Sequence, residues 1–199
     1  MKRLVDIAAA GAGLLLLAPL MAAVALLIKL DSPGPVFFKQ QRIGKGFRPF
    51  WIYKFRTMSH QGAGALPLTI GADRRITRVG QFLRRSKIDE LPQLFNILKG
   101  DMTIVGPRPE VPVYVEAFRR EYEEILTVRP GLTDLASLKY RDEAALLGRS
   151  ADPEQEYLTR VLPDKIRLGK EYIRQSSLAF DLQLIFKTLR KVMFPRSAT

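Results

Sequence analysis

No cysteine occurs in the 199 residues, which excludes disulfide frameworks, thiolate nucleophiles and Cys-ligated zinc. The single histidine, His60, excludes a multi-histidine metal centre or catalysis by a histidine pair. Chemistry in this chain must therefore come from carboxylates, hydroxyls, lysines and arginines. Acidic residues are also scarce, with 20 Asp plus Glu against 32 Lys plus Arg and a net charge of +12. Such an excess suits a polyanionic partner: nucleic acid, a phosphorylated small molecule or an anionic lipid headgroup. Hydrophobic residues make up 47 % of the chain, enough for the core of one domain and too many for a disordered basic tail. Internal repeats and low-complexity tracts are absent.

From Ile7 to Ile28 no residue is charged, and Lys2, Arg3 and Asp6 precede the run while Lys29 and Asp31 follow it. As a straight helix this run measures roughly 33 Å, about the hydrocarbon thickness of a bilayer. A single transmembrane anchor is the simplest reading. Pro19 argues against it, because a mid-helix proline removes a backbone bond and clashes with the preceding turn, so a break is expected there. Positive charge also flanks both ends, which a straight span cannot keep on one side. A helix that enters, bends at Pro19 and returns to the same face can. A secretory signal is a third reading, through Ala23-Val24-Ala25, but the apolar run continues past that site to Ile28. Periodicity alone leaves spanning and re-entrant forms open.

After the turn at Pro33-Gly34-Pro35, the runs VFFKQQRI and FRPFWIYKFRTM flank Gly44-Lys45-Gly46 and predict a β-hairpin. Alternation places Ile52, Lys54 and Arg56 on one face of the second arm, with Trp51, Tyr53 and Phe55 on the other. That basic face suits either a phosphate site or solvent. Gly44-Lys45-Gly46 lacks the spacing and Lys-Ser/Thr pair of a Walker loop. Residues 59–72, with His60, Gly62, Gly64 and Pro67, read as a mobile loop in which His60 has no role. Residues 74–87 read as a basic amphipathic helix suited to anionic lipid or, equally, to an ordinary protein surface. Further helices are expected at about 112–127, 153–162, 164–175 and 178–194, the last with Leu178, Leu182, Ile185, Leu189 and Val192 on one stripe.

The stretch from Ser86 to Glu110, SKIDELPQLFNILKGDMTIVGPRPE, is the most informative. Leu91, Leu94, Phe95 and Leu98 recur at helical spacing, Pro92 fits only a first turn, and Gly100 marks a C-terminal cap. Asp89 and Glu90 thereby fall at the positive end of a helix, with Arg84, Arg85 and Lys87 nearby. Such a pair suits a nucleophile or metal ligand beside a proton acceptor, and equally suits plain stabilisation of a helix start. Gly106-Pro107-Arg108-Pro109 is a stiff hook in which two prolines limit the freedom of an arginine able to grip phosphate with two nitrogens. A loop kept rigid only for folding reads the same way.

Taken in order, KFRTM at 54–58, IDELPQLFNILKGDM at 88–102, VGPRPE at 105–110 and RPGLTD at 129–134 resemble the bacterial sugar transferase family, the small monotopic polyprenyl-phosphate phosphoglycosyl transferases. The resemblance covers essentially the whole chain. It implies a mixed α and β, mostly helical monotopic membrane protein: a Pro19-broken re-entrant helix over 1–30, and over 31–199 a catalytic domain with a small β-hairpin and interfacial amphipathic helices. It further implies transfer of sugar-1-phosphate from a UDP-sugar to undecaprenyl phosphate with release of UMP, as a first membrane step of glycoconjugate or exopolysaccharide synthesis. By the same resemblance Asp89 is the nucleophile and forms a covalent phosphosugar intermediate, Glu90 assists proton handling, and Mg²⁺ bridges Asp89 and the diphosphate. Arg108 and Arg84 would hold phosphate, and Lys54 and Arg56 would complete the substrate site. The implied location is the cytoplasmic face of a bacterial inner membrane, with membrane lipid as a partner, no nucleic acid, and room for a homo-oligomer.

Two departures stand out. Ala18 replaces the serine that often precedes the breaking proline. The run Thr133-Asp134-Leu135-Ala136-Ser137 stands where many members carry a Gly-Trp-Ala-Gln type sequence. Two other classes remain to be tested: a membrane-tethered nucleic-acid binder, which should interleave aromatic and basic residues along one surface, and a non-catalytic scaffold in which Asp89 merely caps a helix.

Overall fold

The computed structural model describes residues 2–59, 68–71 and 73–194. Most of the loop expected around His60, namely residues 60–67, lies outside the described residues. Helices dominate, accompanied by two small two-stranded sheets, as the mixed and mostly helical expectation requires.

Helix α1 (Lys2–Asp31) is assigned as one uninterrupted helix of 30 residues, with Pro19 inside it. No gap in the helix falls at Pro19, where a kink or break is expected. Packing on both sides of the proline accounts for this: Ala10 and Leu14 meet Leu94, Ile97 and Met102, while Met21, Val24 and Ile28 meet Phe55, Leu83, Ile88 and Leu91. Each flank is held by its own apolar cluster, so the bond lost at Pro19 does not free either half.

Both ends of α1 are also tied to the same body. Lys2 Nζ donates to Val105 O at 2.8 Å and pairs with Asp181 at 2.8 Å. Arg3 donates to the carbonyls of Ile97 and Leu98, and the buried Asp6 carboxylate accepts from Thr103 Oγ1 and Ile104 N. At the far end Asp31 accepts from Val79 N. The opposite face exposes Leu15, Leu16, Leu26 and Leu30. The helix is long and apolar enough to cross a bilayer.

The hairpin is present as predicted. Strands β1 (Phe37–Ile43) and β2 (Pro49–Phe55) pair antiparallel with Phe37 opposite Phe55 and Ile43 opposite Pro49, joined through a 3-10 turn at Lys45–Phe47. Helix α2 (Arg78–Ser86) is shorter than the 74–87 expected. Thr77 caps it through its hydroxyl, which accepts from Gly80 N, and Asp73 draws Arg75 into a turn ahead of it. Helix α3 (Gln93–Lys99) ends at Gly100, whose φ of 94° is the left-handed conformation expected of a cap.

Strand β3 (Thr103–Val105) then pairs in parallel with β4 (Gly131–Thr133). A Cβ on Gly131 would overlap the backbone of Gly106, so this approach requires glycine. Between the two strands, the single helix expected over 112–127 is divided at Phe118 into α4 (Pro112–Ala117) and α5 (Arg119–Ile125). After β4 come α6 (Leu135–Lys139), α7 (Glu143–Leu147) and α8 (Pro153–Glu156). The break expected between 162 and 164 does not occur. A π-helical turn at Tyr157–Val161 leads directly into α9 (Leu162–Gln175), and Pro163, which has no N–H to donate, sits just past the π turn. Helix α10 (Leu178–Met193) buries Asp181 and Leu184 and leaves Leu178, Leu182 and Leu189 outward. Most of the apolar stripe read from sequence is therefore its outer face.

Candidate functional site

The path from α2 to α3 sets the site. Lys87 adopts φ 58°, ending α2 and turning the chain into a 3-10 turn at Ile88–Glu90. A left-handed lysine costs of order 1 kcal/mol, which its surroundings must offset. They do so through Ile88 and Leu91, which pack beside Val24, Ile28, Phe55 and Leu83 and clamp the turn from both sides. The carboxylates thus precede α3 as expected. Because α3 is only 7 residues long, cations rather than its dipole dominate their field.

Glu90 and Asp89 have opposite surroundings. Glu90 Oε1 accepts from Lys54 Nζ at 3.0 Å and from an Arg108 guanidinium nitrogen at 2.5 Å, and Oε2 faces a second Arg108 nitrogen at 3.4 Å. Burial alone would raise the Glu90 pKa, but Arg108 and Lys54 outweigh it and hold the carboxyl well below its ordinary range. Glu90 raises the Arg108 pKa in turn. Burial lowers the Lys54 pKa, because a carboxylate shared with Arg108 does not fully replace lost water. Asp89 is 7 % exposed, and its Oδ1 is buried without a hydrogen-bond partner among the described residues. Burial raises its pKa against the pull of Lys54.

The structure brings four of the expected site residues together: Asp89 and Glu90 from the turn, Lys54 from β2, and Arg108 from the hook. Arg84 reaches Thr57 Oγ1 at 2.8 Å and Thr69 Oγ1 at 3.1 Å. Burial lowers its pKa, and Asp89 supplies the leading opposing attraction. Arg56 is placed elsewhere. Its guanidinium donates to the carbonyls of Ile28, Ser32 and Pro33, so it caps the C-terminal end of α1 instead of lining the Lys54 face. Alternation put Arg56 beside Lys54, but β2 ends at Phe55 and the following residue turns toward the helix end. Gly34 permits this, since its φ of 122° and the adjoining guanidinium leave no space for a side chain.

The hook is tied down on all sides. Gly106 N donates to Thr133 O, Gly131 N to Pro107 O and Ile43 N to Glu110 O. Glu110 is clamped by Arg42 at 2.8 Å and by the Tyr157 hydroxyl at 2.6 Å. Thr57 and Thr69 accept from Arg84 and Asp134 accepts from Arg108 N, pairings that hydroxyls and lone carboxylates do not announce in sequence.

A bound divalent cation is tested by the donor set. Among the described residues no group of three or more Asp, Glu or His side chains is placed to hold a metal. Mg²⁺ does not require one, because it commonly takes one or two carboxylates and completes its shell with water and substrate phosphates. The free Asp89 Oδ1 fits that pattern, whereas Glu90 is already saturated by cations.

Among the described residues, a buried Asp89 oxygen without a partner lies in a cluster with Lys54, Arg84 and Arg108 on a body packed against a long apolar helix, a setting whose charge suits a phosphate. Sequence comparison gives the family: the chain belongs to the bacterial sugar transferases, whose family model matches residues 1–195. It is 45 % identical over 96 % of its length to the UDP-N-acetylgalactosamine-undecaprenyl-phosphate N-acetylgalactosaminephosphotransferase of Aeromonas hydrophila, covering 43 % of that protein. It is 36 % identical over its whole length to the UDP-glucose:undecaprenyl-phosphate glucose-1-phosphate transferase of Escherichia coli K12, covering 41 % of it. The chain thus spans about two-fifths of the length of these two relatives. It is also 39 % identical over 95 % of its length to the exopolysaccharide production protein PSS of Rhizobium leguminosarum bv. phaseoli, covering 93 % of that chain.

Proposed function

We propose that this chain transfers sugar-1-phosphate from a UDP-sugar to undecaprenyl phosphate through a covalent intermediate on Asp89. The observation that carries the reading is the asymmetry of the pair: Asp89 Oδ1 is buried and unpaired, while Glu90 is bound by Lys54 and Arg108. A desolvated carboxylate oxygen without a hydrogen bond is an able nucleophile at phosphorus once neighbouring cations offset its charge. Asp89 attacks the phosphorus that bears the sugar, the P–O–P bond breaks, and UMP leaves with the electron pair. A phosphate oxygen of undecaprenyl phosphate then attacks the same phosphorus and restores the Asp89 carboxylate. Arg108 and Arg84 hold phosphate oxygens in line. Mg²⁺ bound at Asp89 would neutralise charge on the diphosphate. Glu90, held well below its ordinary pKa, is a weak proton acceptor and serves instead to fix Lys54 and Arg108.

The test is mass spectrometry of the purified chain with Mg²⁺ and a panel of UDP-sugars, without lipid acceptor. A gain of one sugar phosphate on the peptide containing Asp89 is expected, lost again on adding undecaprenyl phosphate. No gain with any donor, or an equal gain in Asp89→Asn, overturns the reading.

Topology follows from the ends of α1. Lys2 to Asp6 at one end and Asp31 at the other are bound to one body, which speaks for a re-entrant helix over a straight span that would leave that body on one side of the bilayer. The helix instead enters and leaves the same leaflet, with the basic body on the cytoplasmic face of the inner membrane. Single cysteines introduced as Leu4→Cys and Gln41→Cys, both exposed positions, are expected to react with an impermeant maleimide in inverted vesicles and not in intact cells. Labelling from opposite sides rejects this topology.

A further inference from the structure

Beyond Arg129-Pro130-Gly131 the structure places a second carboxylate, that of Asp134, against the Gly106–Pro109 hook. Parallel pairing of Thr103 with Gly131 and of Val105 with Thr133 brings the ends of β3 and β4 side by side. The chain leaves β3 into the hook and leaves β4 into α6. Asp134, at the exit of β4, is 2 % exposed. Its Oδ1 accepts from Ser137 N at 2.7 Å and caps α6, and its Oδ2 accepts from Arg108 N at 3.1 Å. Pro107 and Pro109 have no N–H, so Arg108 N is the only backbone donor in Pro107-Arg108-Pro109, and Asp134 is what it bonds.

We propose that Asp134 is a positioning residue for the transfer, setting the backbone of Arg108 so that its guanidinium meets the phosphate; this rests on the reading of Arg108 given above. A carboxylate suits the task because two donors approach it from different elements and each takes its own oxygen. Asparagine offers one acceptor oxygen and turns an N–H₂ toward the other donor, and serine offers one oxygen in all. The guanidinium reaches Glu90 at 2.5 Å from this fixed backbone, and a displacement on the order of 1 Å costs up to about 10²-fold in rate.

Asp134→Ser separates capping from positioning. Serine is as good an N-cap as aspartate, so α6 and the melting temperature should hold, while the Arg108 tether is lost. In the purified full chain, kcat should fall about tenfold with little change in donor KM, since a misaligned arginine chiefly loses transition-state contact. Hydrogen exchange should quicken in the peptide covering 105–111 and not in the one covering 135–140. In an Arg108→Lys background the further loss on adding Asp134→Ser should be less than about twofold. Wild-type kcat in Asp134→Ser, unchanged exchange at 105–111, or an undiminished tenfold loss in the Arg108→Lys background each overturns this inference alone. Wild-type turnover in Arg108→Lys by itself overturns the reading of Arg108, and this inference with it.

Discussion

Asp89→Asn is expected to lower sugar-phosphate transfer by about 10³-fold or more, equivalent to roughly 4 kcal/mol of barrier, without unfolding the chain. The amide matches the carboxylate in shape and has no oxygen able to form the acyl phosphate. The stability side has a definite sign. Burial raises the folded pKa of Asp89 above its ordinary value near 3.8, so the stability this group contributes is full below that value and is lost as pH rises through the folded one. At neutral pH the ionised carboxylate therefore weighs against folding, and a neutral isostere removes that weight. Asp89→Asn should melt at or above the wild-type temperature at pH 7.5 while being inactive. The same shift makes wild-type turnover fall on the acid side as Asp89 takes up a proton. Steady-state release of UMP and a thermal melt check both halves. Residual activity above about 1 % would remove Asp89 from the nucleophile's place, and loss of folding would show that it is a structural cap.

Part of this site was legible because its signals are local. Pro92 and Gly100 bound a short helix and put Asp89-Glu90 just ahead of it, and the two prolines around Arg108 declare a stiff loop without reference to the rest of the chain. The hairpin was legible for the same reason, through alternation on either side of a glycine-rich turn. What sequence could not supply was pairing at a distance. Arg56 shares the parity of Lys54, yet its partners are the carbonyls of residues 28, 32 and 33, brought there by a turn at Gly34. Asp134 looks like an ordinary helix cap until β3 and β4 are known to lie in parallel, because three-residue strands have too little pattern to announce themselves. Pro19 is a local signal for a kink or break, and what it cannot announce is the pair of apolar clusters that hold the helix on both of its flanks.

Glu90→Gln should destabilise the chain strongly, because it leaves two cations facing a neutral amide. Removing one partner from a buried ion pair costs about 3–5 kcal/mol. Here the Lys54 side chain is 19 % exposed and Arg108 is 32 % exposed, so partial hydration places the cost near the lower end, about 3 kcal/mol. For a chain of this length that corresponds to a fall in melting temperature of roughly 6–12 °C. The pH dependence separates this from a packing defect. Glu90 has a depressed folded pKa, so its contribution is present above its ordinary value near 4.5 and is lost as pH falls through the folded value. The gap between wild type and Glu90→Gln should be full at pH 7 and shrink progressively below about 4.5, whereas a packing defect would persist there. A second signature comes from Lys54, whose pKa burial already lowers and which Glu90 supports. Without Glu90 its proton is lost at still lower pH, so the alkaline fall in turnover should begin earlier in the variant. Calorimetry across the pH range, paired with a pH–rate profile, decides the matter. A variant that melts within about 2 °C of wild type at pH 7.5 would mean that the cations are held by something other than Glu90.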